Sequence, residues 1–348
     1  MKDVKEDPQG PPHPTGGQAG GPPRPIPLNF FGKPFGLVGL ASAWLTAAQY
    51  QRVPRAVGEA LLVLAAVVWL LVTVAYLARA ARLRSLARDL TDPVGGPFAA
   101  LCLIVPMVIA AYGLFPVAPV AGRVLVDVFL VLTVLLGAWF TGQWIYGRLD
   151  VERFHPGYFL PTVAGGLLAA ASAAAVGQHR LGVMMFGLGA ICWLILGSVI
   201  MARLLLRPML PPPLQPTLAI EIAPAAVASI AYFALFTDSI DTVAAFLGGY
   251  GLLMVLTQFR LLPAYVKLPF MPSTWAFTFS WAAAAAVGIH WAERLRPPGA
   301  GAYTYVLLGL ISALVGGVAV RTLVAAARHQ LLPAAPPPPA SEQRAAAG

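Results

Sequence analysis

Ten apolar runs, each close to the roughly 20 residues that cross a hydrocarbon core of about 30 Å, follow one another along this chain. They cover approximately 34–50, 56–78, 97–115, 122–146, 157–176, 181–204, 217–236, 242–259, 272–292 and 302–325. Inside a bilayer, backbone groups must bond within their own segment, and helices achieve this. The sequence therefore predicts an all-α polytopic membrane protein with ten transmembrane helices. Charge supports the reading: 11% of the 348 residues are charged, against about 25% in soluble chains.

The runs divide the chain into three parts. Residues 1–28 hold too much Pro, Gly and charge to bury a core and read as a disordered tail. Residues 29–330 form the ten-helix transmembrane domain, and 331–348, rich in Pro and Ala, form a second tail. The first 28 residues lack the basic start, apolar stretch and small-residue cleavage site of a signal peptide, so the first span is expected to be retained.

Lysine and arginine in the loops set the orientation. With the N-terminus on one side, 17 of the 23 Lys and Arg fall on that side, including the Arg79, Arg82, Arg84 and Arg88 group. Arg52, Arg55, Arg123, Arg180, Arg294 and Arg296 fall on the other. Both termini are thus expected in the cytoplasm, with the protein in the plasma (inner) membrane. The net charge of +9 is mainly this orientation signal plus attraction to anionic lipid headgroups. Nucleic acid is not an expected partner, because no basic face carries interleaved aromatic residues.

Signs of an enzyme or an ATP-driven pump are missing. The chain has no phosphate loop, H-E-x-x-H, C-x-x-C or G-x-S-x-G motif, so no catalytic residue, cofactor or metal is expected. Cys102 and Cys192 lie in different spans and suggest neither a disulfide nor a metal site. Charges inside a bilayer are costly and usually functional, yet here they avoid mid-depth. Glu59, Asp127, His290 and Glu293 sit near the outer ends of spans, and Arg321 near the end of the tenth. Glu221 opens the seventh span. It reads either as a structural carboxylate paired with a base such as Lys33 or Arg207, or as a coupling or gating acid. His290 reads either as an interfacial residue facing water or headgroups, or as a proton site.

The odd-numbered spans share prolines inside or near the start of their apolar stretches: Pro34, Pro106, Pro161 and Pro224, separated by 72, 55 and 63 positions. A fifth copy would place one near 280, where Ser280 stands in FTFSWAAA. Such spacing suggests a helical hairpin of one odd and one even span, used five times. Proline frees a carbonyl that must face protein or water and not lipid, so the odd helices belong inside. They are also rich in small residues, among them Gly36, Gly39 and Ala282 to Ala286. These read either as close helix packing or, in a ring of five, as the wall of a narrow channel.

Three stretches, FGKPFGLVGLASAW (31–44), PTLAIEIAPAAVA (216–228) and TWAFTFSW (274–281), with a weaker fourth, HPGYFLPTVAGG (155–166), resemble the tellurite-resistance/dicarboxylate transporter family. That family includes slow-type anion channels, malate permeases and sulfite exporters. The resemblance covers about 30 to 328. It implies five helical hairpins around a central pore lined by the odd helices, homotrimers, and an aromatic ring from the ninth span that occludes the pore. The family's W-A-[FY]-[ST]-F-P pattern matches Trp275, Ala276, Phe277, Thr278 and Phe279, which makes Phe279 the gate candidate. Ser280 departs from the family's proline, although a hydroxyl bonding back to the preceding turn also bends a helix. Trp275, Trp281 and Phe277 read as packing residues.

A pore without fixed acids does not favour cations. Weak contacts from residues such as Thr162, Ser229, Thr278 and Ser280 would allow conduction, and the basic cytoplasmic loops would concentrate anions at the mouth. The reading is a gated channel or facilitator for small anions. A proton-linked exporter of an oxyanion or C4-dicarboxylate (tellurite, sulfite, malate), coupled through Glu221 or His290, is the alternative within transport. A non-transporting membrane sensor or scaffold is the alternative outside it.

Overall fold

The computed structural model describes residues 26–147 and 149–328, and every regular element among them is helical. The α-helices are α1 (Gly32–Gln49), α2 (Arg55–Leu83), the short α3 (Leu86–Thr91), α4 (Leu101–Ile109), α5 (Pro119–Tyr146), α6 (Gly165–Ala175), α7 (His179–Leu206), α8 (Ala223–Leu235), α9 (Thr242–Tyr265), α10 (Ala276–Leu295) and α11 (Ala300–Ala327). The tails expected at either end lie outside the described residues, apart from 26–28. Leu28, assigned by composition to the first tail, opens a 3-10 turn (Leu28–Phe31) and is buried.

Among the described residues, eight helical stretches are long and apolar enough to cross a membrane: α2, Gly96–Leu114, α5, Pro156–Ala175, α7, Gln215–Leu235, α9 and α11. The expected spans at 34–50 and 272–292 are helical as α1 and α10, but neither is among the eight. Lys33 and Gln49 in α1, and His290, Glu293 and Arg294 in α10, lower their apolarity. Most of both helices is buried against other helices, and a helix hidden from lipid tolerates polar residues that face the bundle interior.

Burial separates two sets of helices. In Gly96–Leu114, Pro156–Ala175 and Gln215–Leu235, between 67% and 83% of the most apolar window is buried, whereas in α2, α5, α7, α9 and α11 the share is 17% to 28%. The first set, with α1 and α10, is therefore the inner one. Each inner helix packs against two others in the cyclic order α1, α4, α6, α8, α10 and back to α1. Each is also covered by the long helix that follows it: α2 on α1, α5 on α4, α7 on α6, α9 on α8 and α11 on α10. Apolar side chains gain little by leaving lipid for one another, so contacts between such helices depend on close van der Waals fit. Gly36 shows this: a Cβ there would collide with Thr278 and come within 2.9 Å of the Trp275 ring.

The prolines do something different from the expected set of interior kinks. Only Pro106, in α4, stands inside an inner α-helix among the described residues, and a π-helical turn (Ala110–Leu114) follows it. Pro34 is the third residue of α1 and Pro224 the second of α8, where backbone N–H groups lack intrahelical partners in any case. Pro161 sits in a π-helical turn (Leu160–Ala164) ahead of α6. The carbonyl that Pro106 deprives of its donor belongs to Cys102, and the Trp69 indole N–H of α2 donates to it at 2.9 Å. The even helices are not free of proline either, since Pro263 lies in the last turn of α9.

Candidate functional site

The inner helices enclose two cavities. One, of about 40 Å³, is lined by the opening residues of all five inner segments, among them Phe35, Leu101, Val163, Pro224, Phe279 and Ser280. It has room for roughly three waters. The other, of about 390 Å³, is lined by later residues of the same five, among them Gly39, Tyr112, Ser172, Phe233, Phe279 and Arg294. Phe279 is the only residue that lines both among the described residues.

The backbone around Phe279 is anchored on each side. Thr278 Oγ1 donates to the Trp275 carbonyl at 2.7 Å, and Ser280 Oγ donates to the Ala276 carbonyl at 3.2 Å. The Trp275 indole N–H donates to Thr322 Oγ1 of α11 at 2.8 Å. Between these fixed neighbours the Phe279 ring lies against the Phe35 ring of α1, with centroids 3.6 Å apart and planes 13° from parallel. Gly39, one turn beyond Phe35 on the same face of α1, makes room for it: a Cβ there would come within 3.0 Å of Phe279 Cδ2 and 3.1 Å of Ala282 Cβ. Of the alanines that follow Phe279, Ala283 lines the larger cavity.

Of the residues singled out in the sequence, Phe279, Ser280, Pro224, Gly39 and His290 come together at these cavities. Pro34, Gly36, Pro106, Pro161 and Thr278 do not line either one; all are buried against neighbouring helices. The flanking aromatics pack as expected, with Phe277 edge-on to Tyr265 at 4.8 Å and Trp281 edge-on to Phe259 at 5.6 Å.

Glu221 lines neither cavity. It lies in a 3-10 segment (Gln215–Ile222) ahead of α8, is 5% exposed, and its Oε1 has no hydrogen-bond partner among the described residues. The two bases considered for it are engaged elsewhere. The Lys33 ammonium sits 3.0 Å from the Phe30 ring centroid, and Arg207 pairs with Glu152 at 3.5 Å.

His290 is largely buried at the wall of the larger cavity and does not sit on the outer surface of the bundle, and its Nδ1 lies 2.8 Å from the Tyr50 hydroxyl. Glu293 is held away from the cavity by a two-pronged contact with Arg52, Nε to Oε1 at 2.7 Å and Nη2 to Oε2 at 2.9 Å. Thr304 Oγ1 donates to the same carboxylate at 2.7 Å.

Two residues at the site were not singled out from sequence. Phe35 had a local signal in FGKPFGLVGL, where it stands four positions before Gly39 and shares its helix face. Arg294 had one in its spacing of four from His290, which places both on one face of α10.

The sequence matches the family described as voltage-dependent anion channel over residues 25–323. A relative, the tellurite resistance protein TehA homolog of Haemophilus influenzae, is 32% identical over 268 residues, covering 76% of this chain and 80% of that protein.

Proposed function

This chain belongs to the voltage-dependent anion channel family, and from that membership we propose that it passes small anions along the axis of its five inner helices, with Phe279 closing the path. It is a membrane protein of several apolar helices, in which α1 and α10 complete a set of ten spans arranged as five hairpins. The observation that carries the reading is the position of Phe279 at the junction of the two cavities. One aromatic side chain then lies between a smaller, mainly apolar hollow and a larger one whose wall mixes small apolar residues with polar ones.

Selection in such a path rests on the cost of dehydrating the ion and on weak contacts with hydroxyls such as Ser280, as conduction requires. The excess of Lys and Arg on the side of the termini puts the smaller cavity toward the cytoplasm and the larger one outward, in the plasma (inner) membrane. The family resemblance adds a homotrimer, each protomer with its own path.

The test is anion flux into liposomes carrying the purified protein, wild type against Phe279→Ala, with chloride, nitrate, sulfite and malate, each with and without a pH gradient. A several-fold rise in passive flux in the variant supports the reading, and the order of the ions then gives the selectivity. Background flux in both proteins sinks it.

A second reading draws on Glu221, a buried carboxylate with an oxygen that lacks a partner. In a proton-linked exporter of an oxyanion or dicarboxylate, this group would carry the coupled proton. Flux that requires a pH gradient, and that Glu221→Gln abolishes, would favour it.

A further inference from the structure

The larger cavity carries polar groups that a gated apolar path does not need. Arg294 lines it, and its side chain is 13% exposed. The guanidinium carbon lies 3.9 Å from the centroid of the Phe233 ring, so one face of the cation is covered. Nη2 is 3.7 Å from Asp238 Oδ1, an ion-pair separation longer than a hydrogen bond. Nη1 is buried and has no hydrogen-bond partner among the described residues. Ser172 Oγ, on the same cavity wall, is buried and likewise without a partner among them.

Arginine cannot shed its proton to escape burial, and a buried cation with an unsatisfied N–H is costly unless a negative group completes its shell. Asp238 does this only in part. It stands in the segment between α8 and α9, its side chain is fully exposed, and water competes for it. The cavity wall therefore holds one fixed positive charge, Arg294, whose hydrogen-bonding capacity is not filled among the described residues, beside the loosely engaged carboxylate of Asp238, which lines the same cavity.

We infer that the larger cavity binds a small monovalent anion, of the halide or nitrate class, at Arg294, and that Asp238 is a tethered competitor that keeps this binding weak. The charge count selects the valence. Arg294 is the only Lys or Arg that lines the cavity among the described residues, so a dianion would lack a second cation. The placement of this site on a conduction path rests on the proposed function; the binding itself does not.

The experiment measures the melting temperature of the purified full chain against sodium nitrate and sodium bromide concentration. Sodium gluconate holds ionic strength constant, so that screening does not vary. A bound anion raises the melting temperature with a half-effect concentration set by its affinity. Removing a hydrogen bond from a charged donor weakens binding about tenfold or more, the result expected for Arg294→Gln, with Arg294→Lys between it and wild type. Loss of an exposed competing carboxylate should tighten binding by about two- to fivefold, the scale of an exposed ion pair, in Asp238→Asn.

An unchanged half-effect concentration in the Arg294 variants, or in Asp238→Asn, overturns the inference. Should Arg294→Gln fail to fold, Arg294→Lys and the surface variant Asp238→Asn still decide the matter. Flux through Phe279→Ala liposomes separates the two proposals. Shifted nitrate binding without any flux leaves the site standing and removes the pore, whereas flux with unshifted binding does the reverse.

Discussion

The rings of Phe35 and Phe279 lie face to face across the α1–α10 contact, with centroids 3.6 Å apart and planes 13° from parallel. Rings so close and so nearly parallel lie outside the offset and edge-on arrangements that give aromatic pairs a bonus beyond buried area, so summed van der Waals contact holds the Phe279 ring where the two cavities meet. Phe35→Ala is expected to raise anion flux in liposomes by about fivefold, the equivalent of roughly 1 kcal/mol of lost contact. Flux through the double variant with Phe279→Ala should match Phe279→Ala alone, because Phe35 acts through Phe279. Additive increases would make Phe35 a separate barrier.

Of the glycines in α1, Gly36 leaves the least room for a side chain against α10. Any side chain there meets Thr278 and the Trp275 ring, and Trp275 is itself tied to Thr322. Overpacking of this kind costs about 1–3 kcal/mol. Gly36→Ala should lower the melting temperature of the purified protein clearly more than Gly142→Ala does, since a Cβ at Gly142 meets nothing within 4 Å.

Trp69 and Pro106 form a compensating pair. The indole N–H occupies the Cys102 carbonyl that the proline leaves without an N–H four residues on. Trp69→Phe should destabilise the protein by about 1–3 kcal/mol through an unsatisfied buried carbonyl. Pro106→Ala restores the backbone donor, so the double variant should lose less stability than Trp69→Phe alone. Denaturation of all four proteins in one detergent completes the cycle, and simple additivity would show that the carbonyl finds another partner.

His155, just ahead of the Pro156–Ala175 stretch, should make stability depend on pH. Burial holds its imidazolium well below the usual histidine range, at about 4. Gly157 N–H donates to Nδ1 at 3.1 Å, and Nε2 lies 3.1 Å from the Val94 carbonyl, the pattern of a neutral ring with its proton on Nε2. The unfolded chain takes up a proton near pH 6.5 and the folded one near 4. Stability from this group is thus complete above 6.5 and falls as pH drops toward 4, by about 3 kcal/mol. Melting temperatures from pH 7.5 to 4 should decline more steeply for wild type than for His155→Gln. Parallel curves would mean that the ring is accessible to protons in the folded state.

Ten apolar runs, the prolines at 34, 106, 161 and 224 and the small residues of alternate spans are local features, and they sufficed to divide the chain into inner and outer helices. A residue's tolerance for lipid is set by its own chemistry, so composition along the chain records which surface each helix presents. Pro106 removes a hydrogen bond inside α4, so its demand for an interior position was legible, whereas Pro34 and Pro224 stand in first turns where no intrahelical bond is lost. The family motif pointed to Phe279 by its place in W-A-F-T-F. What the runs of residues did not carry was contact across the bundle. That Phe35 stacks on Phe279, that Trp69 supplies the donor Cys102 lacks, that Glu221 has neither Lys33 nor Arg207 beside it, and that Arg294 turns into a cavity while Glu293 is held by Arg52 all depend on how separate helices fit. Phe35 and Phe279, like Tyr50 and His290, are more than 200 positions apart. Their meeting is fixed by close approach at Gly36 and Gly39, which only the packed helices decide.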